Sequence, residues 1–448
     1  MSRPARTQRI FQRIARTSHW YEARLTPLGH LFAGLLVGAA IFSSDPSRSQ
    51  ASFLLAGLAA LFVIALVFCV SWHPPLAARR TLPARAIVGR ETVYRILLEN
   101  NGDAAEHAVL IRDRLREQFA DQHPASGLDP SPLKRDNWFD RQTGFRRWSR
   151  RTQWLRGALL PSAYAPIITR TAPHESIIRF VPLRRGLIEF SGIELARADP
   201  LGLCYGIHPI ATVQQLLVLP RQHPVPGLTL LCANLARLMP QSGVPSLTGA
   251  QEFHALREYR PGDSFRQIHW RASAKRGVHV VRQALDPAPL ACTLIVDSCT
   301  SPERFEALIE VVASLLAAAA TAVPDSLALR WLGPQPTAPE AGIGAQPVAL
   351  LLDTLALAKP TIADHFDAAT PHLEVPQVSS AIFITANWAS NRRVFSDRLS
   401  RFHRAPAHTI VVTEDALEIN DLPARGCIIR GQQIAHDLAA CRFTGRRA

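Results

Sequence analysis

The sequence predicts a chain of several domains: a transmembrane helical hairpin, an antiparallel β-sandwich of immunoglobulin-like type, and an α/β domain built on a parallel sheet. Three observations predict it. Two apolar stretches adjoin between residues 25 and 72. Short alternating runs separated by Gly and Asn turns fill residues 73–222. Beyond residue 290, continuous apolar runs alternate with helical patterns, as in a parallel sheet covered on both faces.

The hairpin comes first. One apolar stretch runs from Leu28 to Phe42 and extends to Leu25 and Ser44; the other runs from Ala51 to Trp72 without a charged side chain. A helix needs about 20 apolar residues to cross the hydrocarbon core, so the second qualifies readily and the first, with His30 near its start, is marginal. The polar turn between them contains Pro46. Residues 1–24 hold six arginines against the single acid Glu22, and Arg79, Arg80, Arg85 and Arg90 follow the second stretch. Positive flanks stay inside, so both ends of the hairpin and all later residues are expected on the cytoplasmic side of the cytoplasmic membrane. A cleaved signal peptide is the rival; the long basic start and the immediate second span argue against it.

Composition limits the partners. The net charge is +14, but residues 1–24 contribute +5 and residues 130–160 contribute +6. The rest is near balance, and a basic tail beside a cytoplasmic leaflet is explained by anionic lipid, at roughly 1 kcal/mol per Lys or Arg, without nucleic acid. The seven cysteines are scattered with no Cys-x-x-Cys, which argues against a disulfide framework and against zinc.

The sandwich is read from ETVYRILLEN and HAVLIRD around the Asn100-Asn101-Gly102-Asp103 turn, then SIIRFVPL, LIEFSGIELARA and VQQLLVLP. A basic-aromatic insertion at 130–157 interrupts it, with Trp138, Phe139, Phe145, Trp148 and Trp154 among arginines. That mixture fits a surface loop whose aromatics pack on the sandwich, a membrane interface, or single-stranded nucleic acid, in falling order of preference. After a polar segment at 223–290, the α/β domain at 291–448 reads as strands ACTLIVDS, SLALRWLG, SSAIFITANWA, HTIVVT and GCIIRG, with helices between and after them.

The densest polar stretch is residues 249–283. Pro261-Gly262 forces a turn, Asp263 or Ser264 suits an N-cap, FRQIHWRASAK reads as a short helix ended at Gly277, and VHVVRQ as a strand. Here the chain resembles a known family. Arg257-Glu258-Tyr259, Pro261-Gly262-Asp263, Arg266, Ile268-His269-Trp270 and Ser273-Ala274 resemble the signature of the bacterial domain-of-unknown-function family 58. Lys275 stands where that family commonly has Arg; Arg185-Gly186 and Asp199-Pro200-Leu201-Gly202-Leu203 extend the resemblance, and the 130–157 insertion lies outside it.

The resemblance implies a von Willebrand factor A-like C-terminal part. It also implies partnership with a MoxR-type AAA+ ATPase and, in some relatives, a transglutaminase-like membrane protein. Domains of that A-like type often carry Asp-x-Ser-x-Ser for a hard cation. Here Asp297-Ser298-Cys299-Thr300-Ser301 puts a thiol at the middle position, which leaves Asp297 and Ser301 as a degraded metal site or as caps for the next helix. No cofactor is expected.

Two functions compete. In one, Arg257, Glu258, Tyr259, Asp263, Arg266, His269 and Trp270 dock a partner, and the chain is a membrane-anchored cytoplasmic adaptor for assembly or remodelling of a membrane or envelope complex. In the other, His254, His269, Glu258 and Asp263 serve a hydrolase, which requires converging geometry. The P-loop, GxGxxG, HExxH and GxSxG signatures are missing, which favours the adaptor.

Overall fold

The second apolar stretch ends by entering a β-core, and that joint organises the first half of the chain. A computed structural model describes residues 13, 15, 17, 18, 20–43, 49–116, 145–228, 253–259, 268–284, 292–322, 327–333, 348–361, 364–372, 380–402, 407–414 and 426–441. The chain divides into two compact units: Met1–Arg221 with Leu355–Ala358, and Gln222–Thr354 with Lys359–Ala448.

In the first unit, α1 (Pro27–Ser43) and α2 (Ser49–Ser71) are the apolar helices. Among the described residues one helix, Ser52–Ser71, is long and apolar enough to cross a membrane. At 1.5 Å per residue, the 17 residues of α1 reach about 26 Å, short of the roughly 30 Å hydrocarbon core. Most side chains on both helices face outward, Leu31, Phe53 and Val67 among them.

Two antiparallel sheets follow. One has the order β1-β3-β6, with β1 (Leu76–Thr81), β3 (Thr92–Asn100) and β6 (His174–Phe180). The other is built on β7 (Gly186–Ala198), which pairs antiparallel with β4 (Glu106–Leu115), β8 (Tyr205–Ile210) and β9 (Gln214–Leu219). β5 (Ala163–Ile168) lies antiparallel against β4, and the short β2 (Arg85–Ile87) runs parallel to β9. Alternate residues point inward: Tyr94, Ile96 and Leu98 from one sheet meet Ile111, Phe190 and Leu195 from the other in one core, which Trp72 joins. Across this core Arg80 of β1 donates to both carboxylate oxygens of Asp113 on β4, and the Tyr94 hydroxyl donates to Asp113 at 2.8 Å. Both charged side chains are fully buried, and burial pushes the Asp113 carboxyl up against the pull of Arg80.

The 130–157 insertion contains a helix, α3 (Phe145–Arg156), that the sequence reading left unassigned. Trp148 and Leu155 are buried there, packed with Trp154 and Ala15, so these side chains face protein. Trp138 and Phe139 lie outside the described residues.

The second unit carries a fully parallel five-stranded sheet, order β13-β12-β14-β15-β16. The strands are β12 (Cys292–Asp297), β13 (Leu327–Leu332), β14 (Ser380–Thr385), β15 (Ala407–Thr413) and β16 (Gly426–Arg430). Every residue of β12 and β15 is buried, as strands covered on both faces must be. The helices between the strands are α5 (Pro302–Ala322), α6 (Val348–Leu357), α7 (Phe366–Ala369) and α8 (Ser390–Phe402); α9 (Ile434–Ala440) follows β16. Pro302 sits at the first position of α5, where its missing N–H costs nothing.

One expectation fails at the C-terminal end. Cys427 of β16 and Cys441 after α9 form a disulfide. Strand-to-helix reversal brings the two thiols together across 14 residues, a proximity that spacing alone does not show. Cys69, Cys204, Cys292 and Cys299 are free and buried; Cys232 lies outside the described residues.

Candidate functional site

Two places in the second unit hold the residues singled out by sequence. The first is the carboxyl edge of the parallel sheet. Because β13 and β14 flank β12 on opposite sides, the strand order reverses at the carboxyl ends of β12 and β14, the position where parallel sheets most often carry their sites. Asp297 closes β12 there and is 1% exposed. It accepts the Cys299 N–H at 3.0 Å and the Thr385 hydroxyl, from the end of β14, at 2.9 Å.

The cation at this edge comes from the protein. Arg392, in the first turn of α8, is wholly buried and donates Nε to Asp297 at 3.1 Å. Its other two nitrogens grip both oxygens of Asp364, at 2.7 and 2.6 Å. The guanidinium also lies 4.2 Å from the centroid of Phe366. Burial opposes the charge on Arg392, and the Asp364 hydrogen bonds with the Asp297 charge outweigh it. The Arg392 hydrogen bonds hold the half-exposed Asp364 below the usual carboxylate range. Asp297 is pushed up by burial, with Arg392, the Cys299 amide and Thr385 pulling the other way.

Ser298 and Cys299 are turned inward. Ser298 donates its hydroxyl to Leu332 O at 3.1 Å, and Cys299 bridges in parallel to Thr361. Gly333, at φ +131°, leaves room for this: a Cβ there would stand 2.3 Å from the Ser298 hydroxyl. Ser301 is exposed and contributes its carbonyl to the first turn of α5, accepting Phe305 N–H at 3.0 Å. Asp297 and Ser301 therefore have different roles, one as a buried acid on Arg392 and the other as a helix start. Among the described residues no three His, Cys, Asp or Glu side chains converge as metal ligands.

The second place is the signature stretch. β10 (Phe253–Glu258) pairs antiparallel with β11 (Val280–Ala284), so residues read as a polar segment form a strand. Between them stands α4 (Trp270–Arg276), shorter than expected and capped by His269 rather than Asp263 or Ser264. Residues 260–267, which carry Pro261-Gly262, Asp263 and Arg266, lie outside the described residues, as do the side chains of His254 and Arg257. The reason for the later start is visible: Ile268 bridges to Val281 and His269 N donates to Val280 O at 2.8 Å, so this backbone is held extended. His269 Nδ1 then accepts the Ala272 N–H at 3.1 Å.

Ser273 fastens the helix to the strand, its hydroxyl accepting Val280 N–H at 2.9 Å. Gly277 ends the helix at φ +70° and donates back to Ser273 O, the left-handed cap that glycine supplies without strain. On this mount His279 stands edge-on between two rings, with centroids 6.4 Å from Tyr259 and 6.1 Å from Trp270. Trp270 is 62% exposed, while Ile268, Ser273, Val280 and Val281 beneath it are buried. Glu258 is exposed at the end of β10. The structure thus brings Tyr259, His269 and Trp270 together with His279, a residue the sequence reading did not single out.

Residues 255–421 match the family model described as Protein of unknown function DUF58. The matched segment takes in most of β10, the Trp270 mount, and the parallel sheet to the end of β15. No curated protein matches the chain. Among solved structures, a cohesin module from Clostridium perfringens ATCC13124 family 33 glycoside hydrolase aligns at 7% identity. It covers 33% of this chain and 100% of that one, with a TM-score of 0.19, too low to bear on this fold.

Proposed function

We propose that this chain is a membrane-anchored adaptor that docks a protein partner through the β10–α4–β11 mount. The observation that carries this reading is Trp270, a large aromatic held 62% exposed on a buried framework. Tryptophan is favoured at the centre of protein interfaces because it buries much apolar area at little conformational cost. The short antiparallel pair and the Ser273 and Gly277 fastenings pre-order it, which reduces what binding must pay in entropy.

In this reading α1 and α2 form a two-pass hairpin in the cytoplasmic membrane, α1 completing its span by local thinning of the bilayer. The arginines before residue 25 hold the flanks inside. Arg80 does not serve that purpose, since its charge is committed to Asp113. The antiparallel sheets are immunoglobulin-like and the parallel sheet is von Willebrand factor A-like, with Arg392 in the role a bound cation has in other such domains. That edge is fully assembled by its own residues and so acts as a scaffold. By the family resemblance the partner is a MoxR-type AAA+ ATPase, a transglutaminase-like membrane protein being a further component, and the outcome is assembly or remodelling of a membrane or envelope complex.

The test is affinity capture from detergent-solubilised membranes, with bound proteins identified by mass spectrometry. The unmutated chain is expected to retain an AAA+ ATPase, and Trp270→Ala to lose it. An interface residue of this kind is worth about 2 kcal/mol or more, roughly thirtyfold in affinity. Recovery of no AAA+ ATPase by the unmutated chain, or equal recovery by Trp270→Ala, removes the proposal.

A further inference from the structure

The seat of α1 on the first antiparallel unit shows where that unit stands relative to lipid. The Asp199 carboxylate accepts the N–H groups of Leu201, Leu203 and Cys204 at 2.9, 2.7 and 2.6 Å, so residues 199–204 are one fixed turn. Thr26, just before α1, clasps that turn: its N–H donates to Leu203 O at 3.1 Å and its hydroxyl to Gly202 O. The Thr26 hydroxyl also accepts Gly29 N–H at 2.9 Å, closing the first turn of the helix onto the clasp. Gly29 is required there, because a Cβ would come within 1.9 Å of Leu203 O.

The other helix is fixed as firmly. Trp72, one residue past α2, is already in the sandwich core and donates Nε1 to Glu106 at 3.3 Å. Gly206 on β8 lets α2 approach, a Cβ there standing 3.0 Å from Cys69 O. Both helices therefore leave the unit without a linker, and whatever surrounds their apolar surface must also meet the turn at 199–204.

What that level displays is amphipathic. Leu201 is 42% exposed and Leu28, in the first turn of α1, 54%. Gly202, next to Leu201 in the turn, lies against Leu28, its Cβ position 4.0 Å from Leu28 Cδ2. Leu25 bridges to Cys204 of the turn and donates its N–H to Tyr21 O at 2.8 Å; from there the exposed Trp20 and Tyr21 meet edge to face at 5.1 Å, and the Arg24 guanidinium lies 5.2 Å from the Trp20 ring. Exposed Trp and Tyr with Arg, directly below an apolar helix, is the composition of the headgroup layer.

We infer that the 199–204 turn and the Trp20–Tyr21 pair are immersed in the headgroup layer, so that the sandwich is a rigid, membrane-apposed body and not a domain on a tether. This rests on the membrane reading of α2. Immersion to about 5–10 Å is the depth typical of interfacial segments. The far end of the β7–β8 ladder stays in water, clear of lipid: from the Ala198–Tyr205 pair to the Ile193–Ile210 pair the strands extend about 17 Å.

The experiment uses the full chain in vesicles of brominated phosphatidylcholine with phosphatidylglycerol. A cysteine carrying an environment-sensitive fluorophore is placed by Leu201→Cys, by Val213→Cys beyond the far end of the ladder, or by Val63→Cys in mid-α2. Native Cys69, Cys204, Cys292 and Cys299 are buried and Cys427 is bonded to Cys441, and unsubstituted chain carried through the same labelling supplies the background. The expected result is strong bromine quenching at Val63, intermediate quenching at Leu201 and background at Val213. Quenching at Val63 with Leu201 no different from Val213 overturns the apposition and leaves the anchor intact. No quenching at Val63 overturns the anchor and the apposition with it.

Discussion

Arg392 offers the sharpest test of the sheet-edge reading. Arg392→Met keeps an unbranched side chain over Phe366 and removes the charge. Two carboxylates lose a partner, with unequal consequences. Asp364 is 54% exposed, so water replaces the guanidinium and the loss is small, as for surface pairs. Asp297 is 1% exposed and cannot be rehydrated. Stripping the partner from a buried charge costs about 3–5 kcal/mol. Asp297 keeps the Cys299 amide and the Thr385 hydroxyl, which places the expected loss near the lower end, about 3 kcal/mol, or more than a hundredfold in the folding constant. The measurement is guanidinium unfolding of the full chain in detergent, followed through pulse proteolysis of the β12–β16 region. Asp297→Asn in the Arg392→Met background removes the stranded charge and is expected to restore at least about 1 kcal/mol, the coupling typical of residues in direct contact. A single variant within about 1 kcal/mol of the parent, or no coupling in the cycle, refutes the claim that Arg392 neutralises a buried acid there.

Three further outcomes follow from the same geometry. Asp364 has its folded pKa depressed by Arg392, so its contribution is present above the unfolded carboxylate value and is lost as pH falls through the lower folded value. Asp364→Asn is therefore expected to be less stable at neutral pH, and to lose less stability between about pH 4 and pH 2 than the parent, read by acid unfolding. Gly29→Ala gains up to about 1 kcal/mol in helix propensity, yet forces a carbon within 1.9 Å of Leu203 O; overpacking wins, and a net loss of about 1–3 kcal/mol with freer motion of a label on Leu28 is expected. Asp113→Ala leaves the buried Arg80 without its acid and should lower the stability of the sandwich by about 3–5 kcal/mol in chemical denaturation; a smaller effect than an exposed-surface change would show that water reaches the pair.

Much of the architecture was legible because it is written in local pattern. The alternation in ETVYRILLEN becomes β3 with its inward Tyr94, Ile96 and Leu98, and the unbroken apolar run at Cys292–Asp297 becomes a strand buried on both faces. Periods of two and of none differ in which faces are covered, and that survives in sequence. α3 was passed over although Phe145, Trp148 and Leu155 recur at helical spacing, because the arginines between them made the segment read as a basic loop; Trp148 and Leu155 find a core once the chain folds. β10 was hidden for another reason: Phe253–Glu258 mixes apolar and charged residues without strict alternation, whereas its partner β11 was legible in VHVVRQ.

The site divides along the same line. Trp270 and Tyr259 stood out as members of a dense polar motif, but His279 joined them only when β11 turned back beside α4. Asp297 stood out by its place after an apolar strand. Arg392 did not, because its neighbour Arg393 has the same chemistry one position away and nothing in the spacing says which of the two faces inward.

By itself the sequence determined what must be hidden from water: one apolar helix long enough for a bilayer, the inward residues of the antiparallel strands, and the strands of the parallel sheet. Tertiary structure alone decided how charge and orientation were used: that Arg80 faces Asp113 across two sheets, that Arg392 lies between Asp297 and Asp364, and that Thr26 holds the 199–204 turn. The physical reason is range. Hydrophobic burial scales with area and leaves a periodic mark within a few residues, whereas hydrogen bonds and ion pairs depend on angles and distances between segments that only the fold brings together.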